Sequence, residues 1–327
     1  MDVGLILVLL LILGAEFVNG WTDSPNAIAT VVGTRSLPPL AAVGMAAVLN
    51  LVGVLAGTKV AATIGKGIVD ASVVDLTTVA AAMIGIILWS TIAAFWGIPT
   101  SETHALVSGL AGAGFATAGT KVLVASGWWK VILGLFFSTF LGLGVAVAIM
   151  TAVYWLCRRA TPQRTKEPFR ILQICSSAFM AFSHGSNDGQ KFMGVFTLAL
   201  VLGGVLPTFH IPLWVILICA VTMGLGTLTG GWRIIRTMGM RISRLETHQG
   251  FAAEVAAAST IQLATAAGIP LSTTHTITSA IVGVSATRGT NAVRWSVTGE
   301  LVTAWLLTFP ICAAIGFIVA KILRAIG

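Results

Sequence analysis

Two aspartates stand in closely similar surroundings within apolar stretches of the chain. Asp23 follows Gly20 and Asp188 follows Gly185, each by three positions, and amide side chains accompany both. An ionised Asp inside a bilayer costs about 2.5 to 3.5 kcal/mol on insertion scales, so such acids usually bind an ion or a substrate group. A helix cap or a link between helices is the alternative interpretation, which the duplication disfavours. We therefore predict that both acids line a pathway, where glycines and Pro25 open the helix.

Hydroxyl side chains follow an Ile-Pro pair at two places, residues 97–104 and residues 268–275. Pro is favoured in the first turn of a helix, so each place predicts a helix N-terminus inside the membrane. Free N–H groups and the positive end of the helix dipole attract anions, and hydroxyls add donors without charge. We expect a re-entrant hairpin in each half, with tips that meet near the midplane and hold an oxyanion. His104 and His275 are expected to fix the tips by a hydrogen bond, with a proton relay as the alternative.

The elements that carry these motifs must lie in a membrane. Of the 327 residues, 56% are apolar and 9% are charged, which is too few charges to hydrate the surface of a soluble chain. Apolar stretches near the length that spans hydrocarbon recur along the chain, which predicts an all-α, multi-pass protein of the inner (plasma) membrane, with the lipid bilayer around it. The net charge of +8 lies in short loops, as the positive-inside rule expects, so no nucleic acid partner is predicted. Four scattered cysteines lack metal-ligand spacing, so we expect no metal site.

The sequence contains an internal repeat. The two copies of the first motif lie 165 residues apart and those of the second lie 171 apart, in the same order. This predicts two repeats, residues 1–157 and 171–327, joined by a basic cytoplasmic linker over residues 158–170. The loop after Trp232 is basic, whereas its equivalent around Lys59 also carries acids, so the two loops are expected on opposite faces. We therefore predict two inverted-topology repeats with broken helices and re-entrant hairpins.

At these residues the sequence resembles the inorganic phosphate transporter (PiT) family, which is marked by a duplicated Gly-x-Asn-Asp-x-x-Asn-Ala motif. Both motif copies, residues 181–184 before the second copy, both Pro-x-Ser-x-Thr-His segments and residues 65–70 carry the resemblance, which covers essentially the whole chain. It implies symport of phosphate with sodium ions or protons, without another cofactor, and a substrate site where the repeats meet. Carried over by residue, it makes two sets of candidates: for the ion and substrate site Asp23, Asn26, Asn187 and Asp188, and for phosphate oxygens Ser101, Thr103, Ser272, Thr273 and Thr274. We further expect donors from Gln190 and Lys191 and a proton carrier in Glu102.

The sequence departs from the family pattern at informative positions. Gln190 and Lys191 stand in the Asn-Ala region of the second motif, and Thr22 replaces the Asn of the first. Asn50 stands at the position where the sodium-coupled members of the family that this sequence resembles share a Glu. A Lys beside an Asp in low dielectric can take the place of a cation, so we favour phosphate import with protons over import with sodium.

Other functions stay open at this point. A sulfate permease of the same family would use the same hydroxyl donors. A membrane enzyme acting on lipid phosphates would need a metal-binding pattern such as D-D-x-x-D, which is missing. A channel would conduct ions without saturation. A homodimer is a further expectation, for which the sequence specifies no interface.

Overall fold

The chain folds into helices throughout its described part. The structure is a computed structural model that describes residues 2–326, apart from the side chain of Pro162. Within these residues the only extended pairing is an isolated bridge between Val69 and Leu123. Four helical stretches of the described part are long and apolar enough to cross a membrane, and two bent helix pairs also qualify. The predicted all-α membrane fold with broken helices is confirmed.

The two halves of the chain contain corresponding helices in the same order. The first half comprises α1 (Val3–Asp23), α2 (Pro25–Gly33), α3 (Pro39–Val54), α4 (Lys59–Gly67), α5 (Leu76–Trp96), α6 (Glu102–Ala118), α7 (Ala125–Phe136) and, after a π-helical turn, α8 (Gly142–Cys157). The second half comprises α9 (Pro162–Leu202), α10 (Leu213–Thr229), α11 (Trp232–Arg236), α12 (Thr247–Ala266), α13 (Thr273–Ala286) and α14 (Trp295–Ile326). Helices α9 and α14 of the second half each run unbroken where the first half has two helices. The chain bends by 70° between α3 and α4 and by 63° between α10 and α11, which are equivalent places. The orientation of the halves in a membrane stays a prediction.

A left-handed glycine ends the first arm of each helical hairpin. Gly97 (φ 70°) follows α5 and Gly268 (φ 66°) follows α12, a conformation that glycine adopts without strain. In both turns the glycine N–H and the next N–H bond to carbonyls of the last helical turn, at 2.8 to 3.0 Å. The chain then runs without regular structure for a few residues before α6 or α13 begins, and both second arms are almost entirely buried.

The halves are intertwined rather than side by side. One apolar core joins α1 and residues 54–131 to residues 192–223 and α14, and the other joins α2, α3 and α8 to residues 234–305. Helix α14 packs against α5 and α6, and α8 packs against α12 and α13, so each half closes over the hairpin of the other. The predicted boundaries between the two repeats therefore describe the repetition in the sequence. They do not separate two folding units, because each apolar core contains residues of both halves.

The glycines of the second Asp motif do not open a helix, contrary to the prediction. Helix α9 runs unbroken through the motif, and in the first motif only Ser24 separates α1 from α2, where Pro25 starts the new helix. A Cβ added at Gly185 would lie 2.2 Å from the carbonyl oxygen of Asn50, and one at Gly20 would lie 2.4 Å from that of Met223. The glycines are needed because neighbouring helices cross there in backbone contact.

Most of the predicted basic linker is helical. Helix α9 already begins at Pro162, so most of residues 158–170 is the first part of a 41-residue helix. Pro162 stands in its first turn, where a missing N–H is harmless, and Pro168 is accommodated inside it.

Candidate functional site

The two hairpin tips present helix N-termini to each other. Ser101 and Ser272 are the N-caps of α6 and α13, and their side-chain oxygens accept the backbone N–H of His104 (3.3 Å) and His275 (3.2 Å). The helices therefore begin just after these serines, not at the Ile-Pro pair, because an N-cap hydroxyl satisfies an otherwise unpaired N–H. Since each oxygen accepts, the serine O–H remains available as a donor.

Reciprocal hydrogen bonds join the tips. The Thr103 hydroxyl donates to the carbonyl of Leu271 at 2.7 Å, and the Thr274 hydroxyl donates to the carbonyl of Thr100 at 2.9 Å. These residues occupy equivalent positions in the two motifs, so one contact is the counterpart of the other. Contacts of this reciprocal kind arise when two like units are related by a two-fold axis.

A buried lysine is bound by three oxygens beside the tips. Lys191 is fully buried, and its Nζ lies 2.5 Å from Asp188 Oδ1, 2.6 Å from Thr103 Oγ1 and 3.0 Å from the Leu271 carbonyl. An ammonium has three hydrogens, and all three are used. Lys191 therefore lies against the tips, with its donors directed to the protein.

The two motif aspartates lie together with His184, which was not among the predicted site residues. Asp23, His184 and Asp188 each offer a ligand atom within 4.8 Å of the others, a set that could hold a metal ion. Asn50 donates to Thr227 Oγ1 (2.9 Å), so its oxygen faces His184 Nδ1 (3.0 Å) and the ring hydrogen lies on Nδ1. His184 Nε2, 3.5 Å from Asp188 Oδ2, then directs a lone pair toward the aspartates.

Asn26 and Glu102 connect the motif helices to the tips. The Asn26 amide donates to Thr273 (3.2 Å) and Thr274 (3.0 Å), and Thr273 in turn donates to Asp188 at 3.1 Å. Thr22 donates to Glu102 Oε1 at 3.0 Å. Asp23, Asn26, Glu102, Asp188, Lys191 and the hydroxyls of both tips thus form one buried cluster.

Two predicted donors have other partners. Gln190 accepts from the N–H of Val60 (2.9 Å) and donates to the carbonyl of Ser186 (2.6 Å), so it anchors α4 on α9. Asn187 donates to Thr265 (2.9 Å) and to the carbonyl of Ile269 (3.3 Å), which holds the loop of the second hairpin. The structure therefore brings Asn187 to the hairpin loop and leaves Gln190 outside the cluster.

Similarity to known proteins agrees with this geometry. Residues 19–316 match the Phosphate transporter family. The chain belongs to this family. A protein of Rhizobium meliloti (strain 1021) named "Probable low-affinity inorganic phosphate transporter" is 44% identical over 315 residues, which cover 96% of this chain and 93% of the relative. A Bacillus subtilis (strain 168) protein of the same name is 38% identical over 332 residues, which cover 100% of both chains.

A solved structure titled "The sodium-dependent phosphate transporter" shares the fold, with a TM-score of 0.91 and 25% identity over 100% of both chains. The expected membership of the phosphate transporter family is confirmed. The chain is a membrane transporter and not an enzyme.

In this member of the family the two tip histidines differ. His104 forms a hydrogen bond with the backbone of Trp305, whereas His275 does not form the expected hydrogen bond. The rings of His104 and His275 meet edge to face (centroids 4.5 Å apart), and Phe309 and Trp305 pack on their outer sides. Both nitrogens of His275, and Nδ1 of His104, have no hydrogen-bond partner among the described residues. The rings therefore join the tips by aromatic packing, because α14 brings two large rings there.

In this family member the sequence analysis missed Glu254, a buried acid outside the cluster. Glu254 on α12 accepts hydrogen bonds from Thr30, Ser176 and, at 3.5 Å, Gln173. It lies inside an alanine-rich stretch, and an isolated Glu among small residues was the available signal.

Proposed function

We propose that this protein imports inorganic phosphate across the inner (plasma) membrane by symport with protons. Membership of the phosphate transporter family and the names of its relatives support phosphate as the substrate. The proton as coupling ion is proposed from the charges of the cluster. The homodimer stays a prediction.

The observation that carries proton coupling is the position of Lys191. Its ammonium lies where three oxygens converge, which is the environment that a small bound cation requires. Asn26 stands at the equivalent position of the first motif and is neutral. A permanent positive charge at Asp188 removes the electrostatic reason for a sodium ion there, because the carboxylate is already compensated.

Asp23 is then the group that receives the proton. No Lys or Arg within the described residues lies in salt-bridge distance of Asp23, whose carboxyl contacts the carboxyl of Asp188 and, at 3.3 Å, the hydroxyl of Thr274. The one hydrogen of Thr274 is engaged by the carbonyl of Thr100, so a protonated Asp23 can donate to the Thr274 oxygen. A buried carboxylate without a cation costs several kcal/mol, which a proton from outside relieves.

Phosphate is expected between the tips. The hydroxyls of Thr103 and Thr274 now donate to the opposite tip, and the N-cap hydroxyls of Ser101 and Ser272 are beside them. Turning these hydroxyls to phosphate oxygens breaks both tip-to-tip bonds. Substrate binding and separation of the tips are thus one event, which couples occupancy of the site to its opening.

Uptake by the purified protein in vesicles tests the proposal. Labelled phosphate should accumulate under an inward proton gradient and not under a sodium gradient at constant pH. Accumulation under sodium alone would refute proton coupling, and no gradient-dependent accumulation would refute transport by symport. Unlabelled sulfate that competes as well as phosphate would assign the protein to sulfate.

A further inference from the structure

Three lysines line one cavity at the loop of the second hairpin. Lys59, Lys66 and Lys130 border a cavity of about 450 Å³, whose other lining residues are neutral. Lys66 lies 5.1 Å over the ring of Phe209, and none of the three lysines forms a salt bridge among the described residues. The cavity therefore carries three positive charges without an acid to compensate them.

This lysine cavity is directly joined to the hairpin that carries the transport site. Thr63 donates to the carbonyl of Gly268 (2.7 Å), Lys130 donates to Thr63 (3.2 Å), and Lys59 donates to the carbonyl of Ala266 (3.0 Å). Leu271, which binds Lys191, follows Gly268 by three residues. Three residues reach at most about 10 Å, so the cavity adjoins the buried cluster.

A second cavity repeats this arrangement at the other hairpin. Arg233, Arg236 and Arg241 line a cavity of about 500 Å³ beside Gly97. Thr237 donates to the carbonyl of Gly97 at 2.8 Å, as Thr63 does to Gly268, and Arg233 donates to the carbonyl of Phe95. This arginine cavity adjoins a further cavity that is lined by both Glu300 and Arg241. None of the three arginines has an acidic partner within salt-bridge distance in the described part.

We propose that the lysine cavity is an antechamber that binds phosphate-type oxyanions before they reach the buried cluster. The proposal rests on the proposed function, and it places the lysine cavity on the uptake face and the arginine cavity on the release face. A phosphate dianion is attracted by three uncompensated charges, and the attraction extends further at low ionic strength. Lysine suits capture rather than retention, because its ammonium is a strongly hydrated point charge without a bidentate geometry.

The double variant Lys66→Gln/Lys130→Gln tests the antechamber. It keeps the hydrogen bond from Lys59 to the carbonyl of Ala266 at the end of α12. In vesicles of phosphatidylcholine alone, the KM for external phosphate should rise about fivefold at about 10 mM salt, where the Debye length is about 30 Å. The rise should shrink to less than about twofold near 1 M salt, where that length is about 3 Å. The maximal rate at saturating phosphate should stay unchanged, which also shows that the variant is folded.

Lys121→Gln is the matched control, because Lys121 is exposed in the neighbouring short helix Gly119–Val122 and does not line the cavity. It should leave KM unchanged at both salt concentrations. An equal rise in the control would show a general surface effect and overturn the antechamber. A KM change that requires phosphatidylglycerol in the vesicles would assign the cavity to a lipid headgroup and also overturn it.

The two proposals fail separately. If the unmodified protein accumulates phosphate and the double variant has an unchanged KM at low salt, the antechamber is wrong and the transport function stands. If the unmodified protein does not accumulate phosphate, the proposed function is wrong.

Discussion

Replacing Lys191 by methionine tests the idea that its ammonium stands in for a coupling cation. Lys191→Met keeps the length of the side chain and removes the charge that lies 2.5 Å from Asp188, with both side chains at most 1% exposed. Removing one partner of a buried ion pair costs about 3 to 5 kcal/mol, because the other charge is left uncompensated. At about 1.4 kcal/mol for each factor of ten, the ratio of folded to unfolded protein should fall by about 100- to 4,000-fold.

Sodium should restore much of this loss in the variant. An ion bound in place of the ammonium at about 100 times its Kd returns about 2.7 kcal/mol. Thermal unfolding in detergent should therefore show a higher Tm in sodium chloride than in choline chloride for Lys191→Met, and the same Tm for the unmodified protein. Phosphate uptake by the variant should become sensitive to a sodium gradient.

Two further variants complete the design. Asp188→Asn combined with Lys191→Met removes both charges, so it should recover most of the stability and show no response to sodium. Lys121→Met removes an exposed lysine and should change neither property. A Tm for Lys191→Met that is the same in sodium and choline, with uptake still driven by protons alone, would refute the role of Lys191.

Three other changes have defined outcomes. Asp23→Asn should abolish the accumulation of phosphate that a pH gradient drives. In the unmodified protein, a gradient of one pH unit supports about tenfold accumulation for each proton carried, and uptake of labelled phosphate under that gradient measures the difference. Gly185→Ala places a methyl group 2.2 Å from the Asn50 carbonyl and should lower stability by about 1 to 3 kcal/mol. Gly44→Ala has open space and is its control in thermal unfolding, where it should be neutral or stabilising. Ser272→Ala removes the N-cap of α13 and should cost about 0.5 to 2 kcal/mol in the same assay, whereas an unchanged Tm would show that the cap is dispensable.

The sequence predicted the helical membrane fold and both hairpins, because these depend on local properties. Apolar length determines spanning helices, and Gly97 and Gly268 can end a helix by their backbone freedom alone. The N-terminus of each second arm was displaced from the Ile-Pro pair to Ser101 and Ser272, since a capping hydroxyl competes with proline as a helix start.

Features that depend on the neighbouring helix could not be predicted in this way. A glycine in a membrane helix either opens it or admits a close neighbour, and only the backbone of Asn50 against Gly185 decides between them. Gln190 looked like a ligand because its amide can donate and accept, but the N–H of Val60 uses that oxygen. Glu254 became visible only when α9 and α2 supplied its three donors.

The sharing of both apolar cores between the halves has a consequence for synthesis of the protein. Helix α14, which covers the first hairpin, begins at Trp295, whereas the tip residue Glu102 is made far earlier. At about 5 to 20 residues per second, the roughly 190 intervening residues take about 10 to 40 s to translate. During that interval the first hairpin, with its acidic tip residue, lacks the helix that covers it in the folded protein.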